Sequence, residues 1–201
     1  ITLGDVAPVT GEHAGILLAL DNASRASGRP HPASLLAVSK TRSAAEIAEL
    51  ADAGQRSFGE NYVQEALPKI EALRARGLEW HLIGHLQSNK AELAARAFDW
   101  VQSVDRPKLV AALARHRPPA LPPLNVLLQV NIDDETSKHG CAPAEVNALA
   151  EAVTAEPRLR LRGLMAIPAP HADIAPRRVY AHRTARCHRH HGLEQAASRV
   201  R

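Results

Sequence analysis

Lys40 stands at the end of an apolar run, LLAVS (residues 35–39), close to the N-terminus. Burial disfavours the ammonium form of a lysine and lowers its pKa, which yields a neutral amine that can attack an aldehyde. In a barrel of parallel strands, active-site groups lie at the C-terminal ends of the strands. The competing interpretation is a lysine that has simply reached solvent at the edge of a strand. The position by itself leaves both interpretations open.

Asn61 follows a second short strand-like run, SFGE (57–60). Its side chain could donate and accept hydrogen bonds to a bound ligand. It could equally be the N-cap of the helix that follows, since asparagine is a preferred capping residue. The sequence leaves these two roles open as well.

The histidines and cysteines predict no metal site and no nucleophile. His81 and His85 flank Leu-Ile-Gly, and no carboxylate repeats nearby in the sequence. The segment HRTARCHRHH (182–191) contains metal-ligand residue types, but their spacing matches no closed zinc pattern. Cys141 has no neighbouring histidine–acid arrangement that would activate a thiol. The polar loop 133–140 contains paired carboxylates that could bind a cation, but a solvated loop is the favoured interpretation.

Strand-length apolar runs alternate with helix-length amphipathic stretches along the chain. The predicted strands are 34–40, 57–60, 79–84, 100–104, 124–131 and 161–167, and the predicted helices are 12–27, 43–53, 61–76, 88–97, 106–116 and 143–155. This alternation predicts an α/β fold with a parallel sheet. A doubly wound sheet would fit the length, but the glycine-rich phosphate fingerprint after the first strand is absent. A (β/α)8 barrel needs about 250 residues, so we expect an incomplete barrel with about six strands.

The composition is 45% hydrophobic, 23% charged and 3% aromatic over 201 residues. These values predict one soluble globular domain, or at most two small ones. No apolar run is long enough to predict a membrane span, and the N-terminus does not read as a secretory signal. Two cysteines suit a reducing compartment, so we expect a cytoplasmic protein.

The positive charge is confined to the end of the sequence. Residues 1–170 carry 18 Lys and Arg against 19 Asp and Glu, whereas residues 171–201 carry 7 Arg against 2 acidic residues. A basic module that binds nucleic acid is therefore supported only by the last segment, which lacks aromatics interleaved for base stacking. We expect no nucleic-acid partner.

Five segments, taken together, resemble the pyridoxal phosphate homeostasis protein family of the YggS/PROSC type. They are LLAVSKT (35–41), DAGQRSFGENYVQEALPKI (52–70), LEWHLIGHLQSNK (78–90), LNVLLQVNIDDETSKHG (124–140) and LRLRGLMAIPAP (159–170). The resemblance runs in order through nearly all of residues 12–170. It implies a barrel of the alanine racemase N-terminal kind that binds pyridoxal 5′-phosphate (PLP).

The resemblance also implies the residues of the cofactor site. Lys40 matches the lysine that forms an internal aldimine with PLP, and Asn61 matches an asparagine that lines the pocket. His85 and Met165 fall on strand ends that face the pocket, and Lys138 matches a lysine near its mouth. The implied role is to hold PLP and pass it to apo-enzymes, without catalysis, and we expect a monomer.

The family pattern stops after residue 170. Serine-, glycine- and arginine-containing strand ends that would supply the phosphate site are absent from residues 171–201. We therefore expect a PLP-binding barrel over 1–170, incomplete, followed by an atypical basic tail over 171–201 that forms no separate domain. The hypothesis for this tail is a shifted reading frame, with impaired PLP binding as its consequence.

A PLP-dependent racemase is the alternative function. Racemisation needs a second acid/base group opposite the lysine, which racemases supply as a tyrosine from an additional C-terminal domain. Only Tyr62 and Tyr180 are present here, and the chain has no room for that domain. The sequence therefore favours a carrier over an enzyme.

Overall fold

The computed structural model describes residues 9–28, 33–132 and 139–167. The chain divides into two compact units, residues 1–81 and residues 82–201. The described residues contain six strands in chain order, β1-β2-β3 in the first unit and β4-β5-β6 in the second. Each strand but the last is followed by helical structure, as expected of repeated strand–helix units.

The first unit alternates helices and short strands. Its elements are α1 (Val9–Ala26), β1 (Ala37–Val38), α2 (Ala44–Asp52), β2 (Ser57–Glu60), α3 (Val63–Ala72), a 3₁₀ turn (Arg74–Arg76) and β3 (Glu79–Leu82). Strands β1 and β2 pair in parallel, with Val38 opposite Gly59. The core of the unit is built from fully buried apolar side chains, among them Ile47, Leu50 and Phe58.

The second unit continues the alternation. Its elements are a 3₁₀ turn (Ser88–Lys90), α4 (Ala91–Ala97), β4 (Trp100–Val104), α5 (Pro107–His116), β5 (Leu124–Gln129), a 3₁₀ turn (Pro143–Glu145), α6 (Val146–Thr154) and β6 (Leu159–Met165). Strand β5 pairs in parallel with both β4 and β6. Leu124, Val126 and Leu128, which alternate along β5, are completely buried, so one face of this strand lies in the core.

Local signals fix several element ends where the sequence predicts them. Ser43 caps α2, and the reciprocal capping box with Glu46 is present. Gly54 and Gly77 follow helical segments with φ of 100° and 61°, conformations that glycine adopts at little cost. Pro107 lies in the first turn of α5. The parallel α/β fold with six strands is thereby confirmed.

Several expected elements differ in extent from those observed, β1 and α3 among them. Strand β1 covers two residues rather than seven, because the backbone turns at Lys40 and Thr41. Helix α3 begins at Val63 rather than at residue 61. The expected tail 171–201 and the reading-frame hypothesis lie outside the described residues. Among the described helices, none is long and apolar enough to cross a membrane.

Candidate functional site

Lys40 lies in a tight turn directly after β1. The amide of Ser39 donates to the carbonyl oxygen of Gly59 on β2 (2.9 Å), and the amide of Arg42 donates to the carbonyl oxygen of Ser39 (3.0 Å). Lys40 and Thr41 are therefore the two central residues of a four-residue turn. Thr41 has φ 67°. A β-branched residue in this left-handed region is strained by about 1–3 kcal/mol, and such strain clusters at functional sites.

The amine of Lys40 is uncommitted within the described part of the chain. Its side chain is partly buried, and it makes neither a hydrogen bond nor an ion pair with any described residue. The partial burial leaves open the alternative of a lysine that has simply reached solvent at the edge of the strand. A lysine amine that is not held in an ion pair is free to react with an aldehyde once it is neutral.

A second lysine of the same unit is committed to structure. The Nζ of Lys69 lies 2.9 Å from Oε1 of Glu60 and 3.0 Å from the carbonyl oxygen of Ser39. The same Oε1 accepts a hydrogen bond of 2.6 Å from the hydroxyl of Ser39. Glu60 is fully buried, and the Lys69 side chain is 13% exposed. This network fixes the backbone immediately before Lys40.

Asn61 is not the N-cap of α3. The N-cap is Tyr62, which makes no side-chain capping hydrogen bond, and Asn61 precedes it. The capping interpretation of Asn61 is therefore wrong, because the extended backbone continues one residue further than the sequence indicates. Among the described residues, the Asn61 amide has no hydrogen-bond partner. Its donors and acceptor remain available to a ligand.

Lys40 and Asn61 follow the ends of paired strands. Val38 lies opposite Gly59 in the β1–β2 ladder, and Ser39 continues the pairing through its amide. Lys40 is the next residue on one side, and Asn61 follows Glu60 on the other. Both residues therefore lie at the C-terminal edge of the β1–β2 pair, which is the usual location of ligand sites in α/β folds.

His85, Asp105 and His139 form a cluster in the second unit. The rings of His85 and His139 stack with centroids 3.7 Å apart and planes inclined by 14°. Nδ1 of His85 lies 4.0 Å from Oδ2 of Asp105. Burial of the ring and the neighbouring His139 lower the pKa of His85. Asp105 directly follows β4, and His139 is joined through its carbonyl oxygen to Gln129 at the end of β5, so two paired parallel strands bring these residues to one edge.

Met165 is the last residue of β6 and is partly buried. It lies opposite Gln129 in the β5–β6 ladder, and its carbonyl oxygen accepts a hydrogen bond of 2.9 Å from the Val130 amide. Lys138 lies outside the described residues. The five expected site residues therefore divide into Lys40 and Asn61 in the first unit, His85 and Met165 in the second, and Lys138.

Sequence reasoning missed four residues around these positions. Glu60 and Lys69 are not among the expected site residues. Lys69 lies nine residues after Glu60, on the helix that follows β2. Asp105 and His139 were also missed as partners of His85, because they are distant in sequence. The one signal available was that Asp105 directly follows a predicted strand, where a polar residue at the sheet edge is common.

Comparison with known proteins identifies relatives over most of the chain. The family profile described as alanine racemase, N-terminal domain, matches residues 19–198. The pyridoxal phosphate homeostasis protein of Escherichia coli K12 is 56% identical over 154 residues, which cover 75% of this chain and 66% of that protein. The protein of the same name from Pseudomonas aeruginosa is also 56% identical over 154 residues, covering 76% and 67%. This chain thus spans about two thirds of the length of these relatives.

Solved structures with the same fold include a PLP-bound protein. PipY of Synechococcus elongatus PCC7942 superposes with a TM-score of 0.76 in the structure without PLP, at 36% identity, covering 90% of this chain and 83% of that one. The structure of PipY with PLP bound gives a TM-score of 0.73 at 33% identity, covering 90% and 84%. Alanine racemase from Corynebacterium glutamicum, at 19% identity, covers 81% and 47% with a TM-score of 0.58 and shares the fold. The expected fold of the alanine racemase N-terminal kind is confirmed.

Proposed function

Since this chain belongs to the pyridoxal phosphate homeostasis family, within the alanine racemase N-terminal domain fold, we propose that it binds PLP and participates in PLP homeostasis. PLP supplies an aldehyde that condenses with a neutral lysine amine. The observation that carries the proposal is Lys40, a partly buried residue whose amine has no partner among the described residues. Lys40 is the proposed attachment point.

The residues around Lys40 fit such a ligand. Asn61 offers an amide that no described residue engages, at the end of the neighbouring strand. Oε2 of the fully buried Glu60 has no hydrogen-bond partner in the described structure, whereas its other oxygen is satisfied twice. Because a buried carboxylate oxygen without a partner is costly, a hydrogen-bond donor beside it would be favoured. Asn61 is proposed to orient the bound ligand.

The remaining expected site residues are proposed to contribute less directly. Met165, at the end of β6, supplies a partly buried apolar surface of the kind that covers an aromatic ring. His85 and Lys138 are proposed as further PLP-binding residues on the family resemblance. Each of these assignments can be tested by alanine substitution in the titration described below.

Holding PLP and passing it to apo-enzymes, without turnover, is the proposed biological role. The relatives named as homeostasis proteins support a carrier, and PLP-dependent apo-enzymes are the proposed recipients. We also propose that the protein is cytoplasmic and monomeric. The low cysteine content, with Cys141 free and buried, supports a reducing compartment.

Racemase activity is the second candidate function, and the shared fold with alanine racemase favours it. Racemisation requires proton transfer on both faces of the substrate–cofactor adduct. Incubating the PLP-loaded chain with single enantiomers and measuring the D/L ratio separates the two candidates. A change in that ratio, lost in Lys40→Ala, would establish the enzyme.

An absorbance titration with PLP tests binding directly. The expected result is a saturable shift in PLP absorbance for the native chain, lost in Lys40→Ala and retained in Lys108→Ala, a control at an exposed position on α5. Reduction with borohydride followed by peptide mapping should place the pyridoxyl group on Lys40. A label found mainly on Lys69 or Lys108 would reject the assignment.

The transfer step has its own measurement. The loaded chain is mixed with the apo-form of a PLP-dependent enzyme, and recovery of that enzyme's activity is compared with recovery on free PLP at the same total concentration. A carrier is expected to support recovery while the free PLP concentration stays low. Full retention of PLP by the chain would contradict the role in handing over the cofactor.

A further inference from the structure

We propose that His85, Asp105 and His139 form a binding site for a divalent transition-metal ion of the Zn²⁺ type. The inference goes beyond PLP binding and gives His85, also a candidate PLP-binding residue, a second role that can be tested without PLP. The candidate ligand atoms of the three side chains all lie within 4.8 Å of one another. Two imidazoles and one carboxylate are a ligand set that Zn²⁺ and its neighbours in the first transition row accept.

The two imidazole rings lie close enough together for one ion to reach both. Their centroids are 3.7 Å apart and their planes are inclined by 14°. A neutral imidazole offers a nitrogen lone pair to a metal ion.

Asp105 is held in place by an outer partner. Its side chain is 9% exposed, and Oδ1 lies 2.5 Å from Nη1 of Arg106. Arg106 in turn donates to the carbonyl oxygen of Leu86 at 2.9 Å. The second carboxylate oxygen, Oδ2, is the one near His85. A carboxylate fixed through one oxygen and presented through the other is the arrangement by which outer partners orient metal ligands.

His139 is anchored to the end of β5 by backbone contacts. Its carbonyl oxygen accepts a hydrogen bond of 3.1 Å from Nε2 of Gln129. The next residue, Gly140, has φ 127°, and a Cβ there would meet the backbone nitrogen of Asn131 at 2.7 Å. Only glycine fits this close approach, so the sequence places His139 against the strand end while its side chain stays exposed.

Metal binding requires a modest rearrangement. Tetrahedral coordination at bond lengths of about 2.0–2.2 Å brings ligand atoms to roughly 3.3 Å from one another. The two rings must rotate out of their parallel stack so that a nitrogen of each meets the ion. Both histidines are exposed, so their side chains can rotate without disturbing the core. Three protein ligands leave a fourth position for water or a small anion.

Titration with Co²⁺, a spectroscopic substitute for Zn²⁺, tests the proposal on the full chain without PLP. We expect visible absorption bands of tetrahedral Co²⁺ that disappear when Zn²⁺ is added. Loss of a residue that only orients a metal ligand lowers metal affinity roughly 10–100-fold. His85→Ala and His139→Ala remove the ligands themselves, so they should weaken Co²⁺ binding by at least this factor. Asp105→Asn, which keeps the shape and removes the charge, should do the same.

Two controls separate this site from other histidines. His116→Ala removes an imidazole elsewhere in the second unit and should leave the bands unchanged. A variant with His182, His188, His190 and His191 all changed to alanine tests the histidine-rich tail, and it too should keep the bands. Equal affinity of His85→Ala, His139→Ala and the native chain would overturn the proposal, as would loss of the bands in the tail variant alone.

Discussion

The ammonium group of Lys69 donates to the carbonyl oxygen of Ser39, at 3.0 Å, immediately before the residue proposed to bind PLP. That carbonyl oxygen also accepts the amide of Arg42, which closes the turn. One lysine of the first unit therefore stabilises the backbone that presents another. The two lysines differ in role because they differ in partners. Lys69 is paired with the buried Glu60, whereas Lys40 has no partner among the described residues.

Lys69→Met is expected to destabilise the fold by about 3 kcal/mol or more, because it leaves the Glu60 carboxylate buried and unpaired. The double variant Glu60→Gln/Lys69→Met should recover most of this loss, since no buried charge remains. Urea unfolding measures both. Arg76→Met, which breaks an exposed ion pair with Asp52, is the control and should cost less than about 1 kcal/mol. A double variant as unstable as the single one would contradict the electrostatic explanation.

Asn61→Ala is expected to weaken PLP binding with little effect on stability. Loss of one or two hydrogen bonds of about 1 kcal/mol each lowers the affinity roughly 5–30-fold. Because Asn61 does not cap α3, the free energy of unfolding should change by less than about 0.5 kcal/mol. PLP titration and urea unfolding of the same sample check the two parts. A large loss of stability with unchanged affinity would show that the role is structural.

Thr41→Gly should be more stable than Thr41→Ala. Both variants remove the threonine side chain, but only glycine relieves the left-handed backbone conformation at φ 67°. The expected difference in unfolding free energy is about 1 kcal/mol in favour of glycine, after allowance for the greater freedom of glycine in the unfolded chain. Denaturant midpoints of the two variants give the comparison. Equal midpoints would mean that the turn is not strained in solution.

Ser43→Ala should cost about 1 kcal/mol near neutral pH, the usual value of an N-cap. The Ser43 amide lies 2.7 Å from the Glu46 carboxylate, and this hydrogen bond, followed by that of the Ser43 hydroxyl, lowers the pKa of Glu46. Because the pKa of Glu46 is lower in the folded state, the stabilisation that its carboxylate provides is fully present above the ordinary glutamate pKa. It is lost as the pH falls through the lowered value.

The cost of Ser43→Ala should therefore shrink in acid. Unfolding experiments on the native chain and the variant, at neutral pH and below the ordinary pKa of glutamate, measure the change. Glu46→Gln is the control, because its uncharged side chain should make the cost independent of pH. A cost that grew on acidification would contradict the sign of this argument.

The sequence alone determined the order and type of the elements. Hydrophobic runs, the Ser43 capping box and the glycines after the helices are local signals, and a local signal acts through residues that are close along the chain. The position of Lys40 after the first strand was readable for the same reason. Family-like segments supplied the expected cofactor, which physical patterning alone did not specify.

Tertiary structure decided which polar groups meet. Whether Asn61 caps a helix depended on where the extended backbone ended, and the difference of one residue transferred the cap to Tyr62. Lys69 is committed to structure because helix α3 folds back over Glu60 and Ser39. Asp105 and His139, which follow the paired strands β4 and β5, lie beside His85 although the three residues are distant in sequence. Such contacts depend on strand pairing between segments distant in sequence, and no local pattern encodes them.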